Sequence, residues 1–146
     1  SEREYAKRAI AEYKTIRPVV QQGDLYRLVS PYEGNRDFTS LMYVNDTKDR
    51  AVLFAYRHFI KHDMSNIVIR LQGLNPDAKY RIREVAPEYT NKPAAINGKV
   101  VSGKFLMEEG VVIPELVKGY TKNAPLGEIR AGNDCRSIVL ELTEVK

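Results

Sequence analysis

The spacing of apolar residues changes near residue 23. Between residues 1 and 22, apolar side chains recur every three or four positions, which is typical of one face of an amphipathic helix. Pro18 disturbs only the final turn of this helix, and Gly23 is predicted to stop it with a positive φ. We therefore expect one helix that ends near Gln21. Its apolar face comprises Ala6, Ala9, Ile10, Tyr13, Ile16 and Val20.

After Gly23 the period falls to about two, and β-branched and aromatic residues dominate short runs bounded by turn residues. The polar connector 45–49 predicts an antiparallel hairpin between the second and third strands, and 73–78 predicts another between the fourth and fifth. This organisation is typical of an all-β fold, an antiparallel two-sheet β-sandwich preceded by the helix. The predicted strands are 24–29, 39–44, 50–59, 66–72, 79–85, 111–113 and 137–143.

Alternation within two of these strands predicts which side chains fill the core, since successive residues of a strand point to opposite faces. Residues 86–98 contain two prolines and no periodicity, which predicts a long surface loop. Ser102 is predicted to cap a short helical turn that stops at Gly110. The predicted core residues are Ile67, Ile69, Leu71, Ile138, Leu140 and Leu142.

Composition excludes several functional classes. At 146 residues and 43% hydrophobic content the chain fits one globular domain, and it contains no apolar run of membrane-spanning length. The net charge of +4 is dispersed among acidic residues rather than gathered in a stripe, so we expect no nucleic-acid partner. Cys135 is the single cysteine, which excludes an internal disulfide.

The acidic residues do not form a catalytic pair in this pattern. Catalysis by a pair of carboxyl groups requires that the two groups be held at a fixed separation on either side of the bond that breaks. The least ordinary carboxylates are Asp24, Glu33, Glu108 and Glu109, and none follows a strand in the βα pattern of a barrel. Arg27 could bind a sugar or phosphate, but we favour the interpretation that it and Asp24 satisfy backbone groups at the helix-to-strand boundary. We expect no catalytic residue.

Histidines and tyrosines supply two further candidate sites. His58, His62 and Asp63 have a spacing that binds zinc on a helix, but His58 lies at the end of a predicted strand, so we expect no metal site. Exposed aromatic rings hold sugars, and Tyr32, Tyr89 and Tyr120 lie in predicted loops as candidate platforms. The strand tyrosines Tyr26, Tyr43, Tyr56 and Tyr80 are expected to pack in the core or at its rim.

One stretch carries a family resemblance. Residues 13–31, YKTIRPVVQQGDLYRLVSP, combine the end of the helix with the first strand, and GDLYRL is their most specific part. Further matches are AVLFAY at 51–56, LQGLNP at 71–76 with Tyr80, and Ser102-Gly103 with Leu106-Met107 and Gly110, whereas 86–101 and 115–134 match no motif. The chain resembles the junction between the catalytic barrel and the C-terminal domain of family 36 glycoside hydrolases, the α-galactosidase (melibiase) family.

The resemblance implies that residues 1–22 are the last helix of a missing catalytic barrel and that 23–146 are a C-terminal β-sandwich domain. The family's two catalytic aspartates lie on the barrel, so this piece would itself be non-catalytic. The parent would hydrolyse terminal α-galactosides with retention and without a cofactor. The implied partner is the parent's own barrel, and homo-oligomers would form through the parent.

Two alternatives come from other functional classes. A free-standing carbohydrate-binding module would expose one of the loop tyrosines beside a polar groove. An immunoglobulin-like interaction module would expose a large apolar patch away from the helix. For the family interpretation, we expect residues 1–9 to fray or to be covered by the same helix of a neighbouring chain, because short isolated helices are marginally stable in water.

Overall fold

The computed structural model describes residues 1–32, 37–58, 66–86, 93–116 and 136–146. These residues form an antiparallel β-sandwich with an N-terminal helix, as the sequence predicts. The helices are α1 (Glu2–Gln22), α2 (Gly103–Glu108) and a 3-10 helix at Pro114–Leu116. The strands are β1 (Asp24–Val29), β2 (Phe38–Val44), β3 (Arg50–Arg57), β4 (Val68–Ile69), β5 (Lys79–Glu84), β6 (Val100–Ser102), β7 (Val111–Val112) and β8 (Arg136–Val145).

The larger layer is a six-stranded sheet with the order β1-β2-β3-β8-β5-β6. Its pairs are antiparallel, and the predicted hairpin of β2 and β3 is confirmed. In the turn of that hairpin, the Asn45 amide and the Thr47 hydroxyl each donate a hydrogen bond of 2.5 Å to an Asp49 carboxylate oxygen. These two hydrogen bonds lower the pKa of Asp49, Thr47 having the larger effect.

The smaller layer is a two-stranded sheet of β4 and β7, and it corrects one prediction. The hairpin expected between the fourth and fifth strands is wrong, because β5 pairs with β8 and β6 in the larger sheet. The connector after Gln72 carries the chain from one layer to the other. Tyr80 joins this connector to the β2–β3 turn, since its hydroxyl accepts from the Asn75 N–H at 3.0 Å and donates to the Lys48 carbonyl at 2.6 Å.

The core lies between the two layers. Of the six predicted core residues five are buried, and the sixth, Ile67, is partly buried against the same cluster. The surface loop predicted at 86–98 is wrong in its second half, because Ala94 is buried and Ile96 packs on the core. Small apolar side chains without periodicity hid this contact. The five buried residues are Ile69, Leu71, Ile138, Leu140 and Leu142.

The short helix α2 follows its prediction. The Ser102 hydroxyl accepts a hydrogen bond of 3.2 Å from the Phe105 N–H, which caps the first turn. After the helix, Gly110 has a φ of 89°, a conformation that glycine adopts without steric cost.

Helix α1 packs on the outer face of the larger sheet, on the side opposite the two-stranded sheet. Ile16 and Val19 are buried there against Val52 and Val85. Only part of the predicted apolar face is buried, since Ile10 and Tyr13 remain 56% and 46% exposed. Among the described residues, no helix has both the length and the apolar character needed to cross a membrane.

The end of α1 differs from the prediction in its backbone geometry. Gly23 has φ −77° and ψ 162°, which is extended, so the expected positive φ is wrong. Glycine is required here by close approach instead. A Cβ at this position would lie 2.5 Å from the Val19 carbonyl oxygen and 2.9 Å from that of Val44.

We expect Ile69→Asp to lower the free energy of unfolding by at least about 3 kcal/mol, because it buries a carboxylate without a partner. Ile69 is 1% exposed in the core. The measurement is chemical denaturation of the purified chain.

Val68→Asp is the matched control, since Val68 is the neighbouring residue of the same strand and is 46% exposed. It should cost less than about 1 kcal/mol. Equal losses for the two variants would show that β4 does not turn its Ile69 face to the core.

Candidate functional site

Of the three tyrosines proposed as sugar platforms, Tyr32 is the one that lies among the described residues. Tyr32 is 91% exposed, and its N–H donates to the Ser30 hydroxyl at 3.2 Å. It lines neither of two cavities, of about 250 and 260 Å³, that the described residues form. Tyr89 and Tyr120 lie outside the described residues.

The tyrosines of the strands serve packing, as predicted. Tyr80 is fully buried, and Tyr26 packs against the core. On the outer face of the larger sheet, the Phe54 ring meets Tyr43 edge-on with centroids 6.2 Å apart and stacks with Tyr56 at 6.4 Å. Burial raises the pKa of Tyr56, and the neighbouring Tyr43 adds to the effect.

Of the histidine motif, only His58 lies within the described residues. The His58 Nε2 atom lies 3.2 Å from the Thr39 hydroxyl oxygen. The backbone N–H of His58 donates a hydrogen bond of 2.7 Å to the backbone carbonyl of Asp37. No group of three or more potential ligands could hold a metal ion within the described ranges. His62 and Asp63 fall outside those ranges, as does Cys135.

The singled-out carboxylates lie at the surface where the structure describes them. Asp24 and Arg27 are exposed on the edge strand β1. Glu108 and Glu109 are also exposed, at the end of α2. Glu33 is outside the described residues.

A cluster of four charged residues joins α1 to the larger sheet, and we call it the charge clamp: Glu12, Arg83, Glu141 and Arg50. One carboxylate oxygen of Glu12 accepts from the Arg83 guanidinium and from the Ala86 N–H, both at 2.9 Å. Arg83 also donates to Glu141 at 3.3 Å. Burial acts to lower the pKa of Arg83, but Glu12 and Glu141 outweigh it, so the pKa lies above its ordinary value.

Arg50 connects the charge clamp to helix α1 a second time. The Arg50 guanidinium donates to the second oxygen of Glu141 at 2.8 Å and to the Thr15 carbonyl of α1 at 2.9 Å. The helix is therefore tied to three neighbouring strands, β5, β8 and β3. Charge-assisted hydrogen bonds of this kind are stronger than neutral ones and fix geometry.

Sequence reasoning missed the charge clamp, although a signal for it exists. Glu12 lies in the helical row of Tyr5, Ala9, Ile16 and Val19, and a carboxylate among residues that face a sheet requires a partner. The partners come from strands distant in sequence, so only the sheet order brings them together.

A groove of about 250 Å³ lies between the N-terminal half of α1 and the outer face of the larger sheet. Its walls are mainly apolar and aromatic, and the half-exposed Tyr13 stands at its border. This surface can bury an apolar side chain. The lining includes Tyr5, Ala9, Tyr13, Phe54, Val85 and Val139.

Comparisons with known proteins agree with this fold. Alpha-galactosidase AgaA of Geobacillus stearothermophilus is 30% identical over 114 residues, which are 78% of this chain and 14% of that protein. Alpha-galactosidase 1 of Pediococcus pentosaceus is 26% identical over 121 residues, 83% of this chain and 15% of that protein. The chain thus spans about 15% of the length of these relatives.

Solved structures give the same result. The GH36 alpha-galactosidase AgaB from Geobacillus stearothermophilus matches 93% of this chain and 15% of its own, with a TM-score of 0.65 and 29% identity. The alpha-galactosidase from Lactobacillus brevis matches 94% of this chain with a TM-score of 0.69, and at 21% identity it supports the fold alone.

A family model settles the classification. The model described as the glycosyl hydrolase family 36 C-terminal domain matches residues 38–142, which is most of the chain. This range contains β2 through most of β8, and hence the two-stranded sheet and every strand of the larger sheet except β1. The chain therefore belongs to glycosyl hydrolase family 36, of which it is a C-terminal domain.

Proposed function

We propose that the chain is the C-terminal part of an α-galactosidase, in which residues 23–146 are a non-catalytic accessory domain and α1 is the last helix of the catalytic barrel. The observation that carries the proposal is the match to a small share, about 15%, of relatives named alpha-galactosidases. A domain that makes up such a small part of the parent's length leaves most of that length for a separate catalytic unit.

The comparisons support including α1 in the conserved unit of structure. A match over 93% of a 146-residue chain is longer than residues 24–146 alone, so it includes part of the helix. The helix also has a wider apolar arc than the sandwich covers, since Ile10 and Tyr13 stay exposed beside the buried Ile16. An incompletely covered helix is expected where a second domain completes the packing.

The use of carboxylates in this domain supports a structural role. Glu12 and Glu141 accept hydrogen bonds from Arg83, so both are committed to holding the helix on the sheet. A retaining glycosidase needs a nucleophile and an acid that face a substrate instead. Variants of the relative AgaA have been solved with raffinose and with stachyose, and we propose terminal α-galactosides of this type as substrates of the parent.

A carbohydrate-binding module is the second candidate, and the exposure of Tyr32 favours it, although Tyr32 lines neither of the two cavities formed by the described residues. An aromatic ring that is 91% exposed can stack on a sugar. Titration of the chain with raffinose, monitored at Tyr32 by NMR, separates this function from the structural one. Saturable binding that Tyr32→Ala abolishes would establish the module.

We expect the purified chain to hydrolyse an aryl α-galactoside at the rate of the buffer alone, because Glu12 and Glu141, the two carboxylates that share Arg83, are held in hydrogen bonds to it rather than free to act as nucleophile and acid. The full-length parent should turn the substrate over. Deletion of residues 24–146 should reduce the yield of folded parent.

Turnover by the chain itself would overturn the proposal if substitution of one of its own carboxylates abolished it. A parent that folds and works equally well without residues 24–146 would contradict the accessory role.

We expect Arg83→Met to accelerate amide hydrogen exchange in α1, because it removes the cation that joins Glu12 to Glu141. The first turns, residues 1–9, should exchange fastest in both the variant and the original chain. Hydrogen exchange read out residue by residue by NMR measures both effects.

Arg81→Met is the control, since Arg81 is exposed two residues away on the same face of β5 and no ion pair with a described residue involves it. The same exchange rates in both variants would show that the charge clamp does not hold the helix. Strong protection of residues 1–9 in a monomer would assign the whole helix to this domain.

A further inference from the structure

We propose that the cavity between the last turn of α1 and the β2–β3 turn binds one neutral sugar ring. Its volume is about 260 Å³, with α1 on one side and the turn on the other. Pockets for drug-sized molecules have roughly 300–1,000 Å³, so this cavity fits one ring rather than a long oligosaccharide. We call it the junction pocket, and its lining includes Pro18, Gln22, Asn45, Asp46, Thr47 and Arg50.

The β2–β3 turn gives the junction pocket a rigid wall. The Asn45 amide and the Thr47 hydroxyl both donate to Asp49, and the Asn45 side-chain oxygen accepts from the Arg50 N–H at 3.0 Å. The backbone closes the same turn, because the Asn45 N–H donates to the Arg50 carbonyl at 3.0 Å. A ligand that binds here does not have to order the turn first, which lowers the entropic cost of binding.

Side chains on both walls retain hydrogen-bonding capacity. Gln22 and Asp46 are exposed, and within the described ranges no hydrogen bond engages the amide of the one or the carboxylate of the other. The Arg50 guanidinium donates to Glu141 and to the Thr15 carbonyl through Nη2, so its Nε and Nη1 groups remain as donors. The pocket therefore offers both donors and acceptors, and a sugar hydroxyl uses both.

The charges of the lining favour a neutral ligand. Asp46 and Arg50 place one charge of each sign on the walls. An anion would be attracted by Arg50 and repelled by Asp46, and a cation would meet the reverse. A neutral sugar can accept from the guanidinium and donate to the carboxylate at once, and charge-assisted hydrogen bonds are the stronger kind. The Pro18 ring adds an apolar surface for the CH groups of the sugar.

A sugar in the junction pocket connects α1 to the sandwich beside the charge clamp, because Arg50 belongs to both. Only the folded chain forms the pocket, so binding stabilises the folded state by mass action. This subsite goes beyond the proposed function, since it needs neither a barrel nor a catalytic group. It also differs from the carbohydrate-binding module considered above, because Tyr32 does not line it.

The test is titration of the isotope-labelled chain with galactose and with raffinose, each raised to tens of millimolar and followed by NMR. Both neutral sugars should produce saturable shifts in the side-chain amide of Gln22 and in the backbone amides of residues 45–50. Galacturonate and protonated galactosamine present the same ring with one charge, and each should bind at least about fivefold more weakly than galactose. Bound sugar should also slow amide hydrogen exchange in the last turn of α1.

Gln22→Ala should weaken the binding of galactose about fivefold, which is the effect of one lost hydrogen bond. Gln21→Ala is the matched control, because Gln21 is the neighbouring exposed glutamine of the same helix and does not line the pocket. Asp46→Ala and Asp77→Ala make a second pair, in which the control removes an exposed carboxylate from a different turn. Neither control should change the affinity.

The proposal fails if neither neutral sugar gives saturable shifts, if the charged sugars bind as tightly, or if both members of a pair lose affinity equally. Shifts confined to Tyr32 would also overturn it and would support the carbohydrate-binding module instead. Should the junction pocket bind sugar while the parent fails to hydrolyse α-galactosides, the subsite would stand and only the proposed function would fall.

Discussion

The carboxylate of Glu12 constrains how helix α1 lies on the outer face of the larger sheet. It lies on the sheet-facing row of α1, where a charge without a partner would be costly. Arg83 and the Ala86 N–H meet that requirement, and Glu141 and Arg50 extend the network back to the helix. Together with the apolar contacts of Ile16 and Val19, this network holds the helix at its height and rotation on the sheet.

The rotation has consequences on both sides of the helix. Toward the sheet, it places Ile16 and Val19 over Val52 and Val85, which makes a second, smaller core separate from that of the sandwich. Toward solvent, it leaves Ile10 and Tyr13 uncovered. A helix that is bound tightly on one side and incompletely covered on the other is suited to join two structural units, which agrees with a chain that matches about 15% of its relatives.

The sequence predicted well those features that depend on neighbours in the chain. The bounds of β1, the hairpin of β2 and β3, and the cap at Ser102 follow from local periodicity and turn chemistry, and all three are observed. The predictions were wrong where distant segments decide the outcome. Strand β5 pairs with β8 rather than with β4, because the core requires the chain to change layers there.

The candidate site shows the same difference between features set by neighbours in the chain and features set by distant segments. Tyr43, Tyr56 and Tyr80 were correctly predicted to pack, because their place in an alternating strand is a local property. The charge clamp joins residues 12, 50, 83 and 141, whose proximity follows only from the sheet order. The positive φ expected at Gly23 was wrong because the backbone is extended there, and a Cβ would lie close to the Val19 carbonyl oxygen of α1 and to that of Val44 in β2.

A double-mutant cycle between Glu12 and Arg83 tests most directly whether α1 and the sandwich form one unit through the charge clamp. The variants are Glu12→Gln, Arg83→Met and the pair, each measured by chemical denaturation of the purified chain. Since Arg83 is 41% exposed, we expect a coupling free energy of about 0.5–2 kcal/mol rather than that of a fully buried pair. Strictly additive losses, with a coupling of about zero, would contradict the account and leave the helix held by its apolar contacts alone.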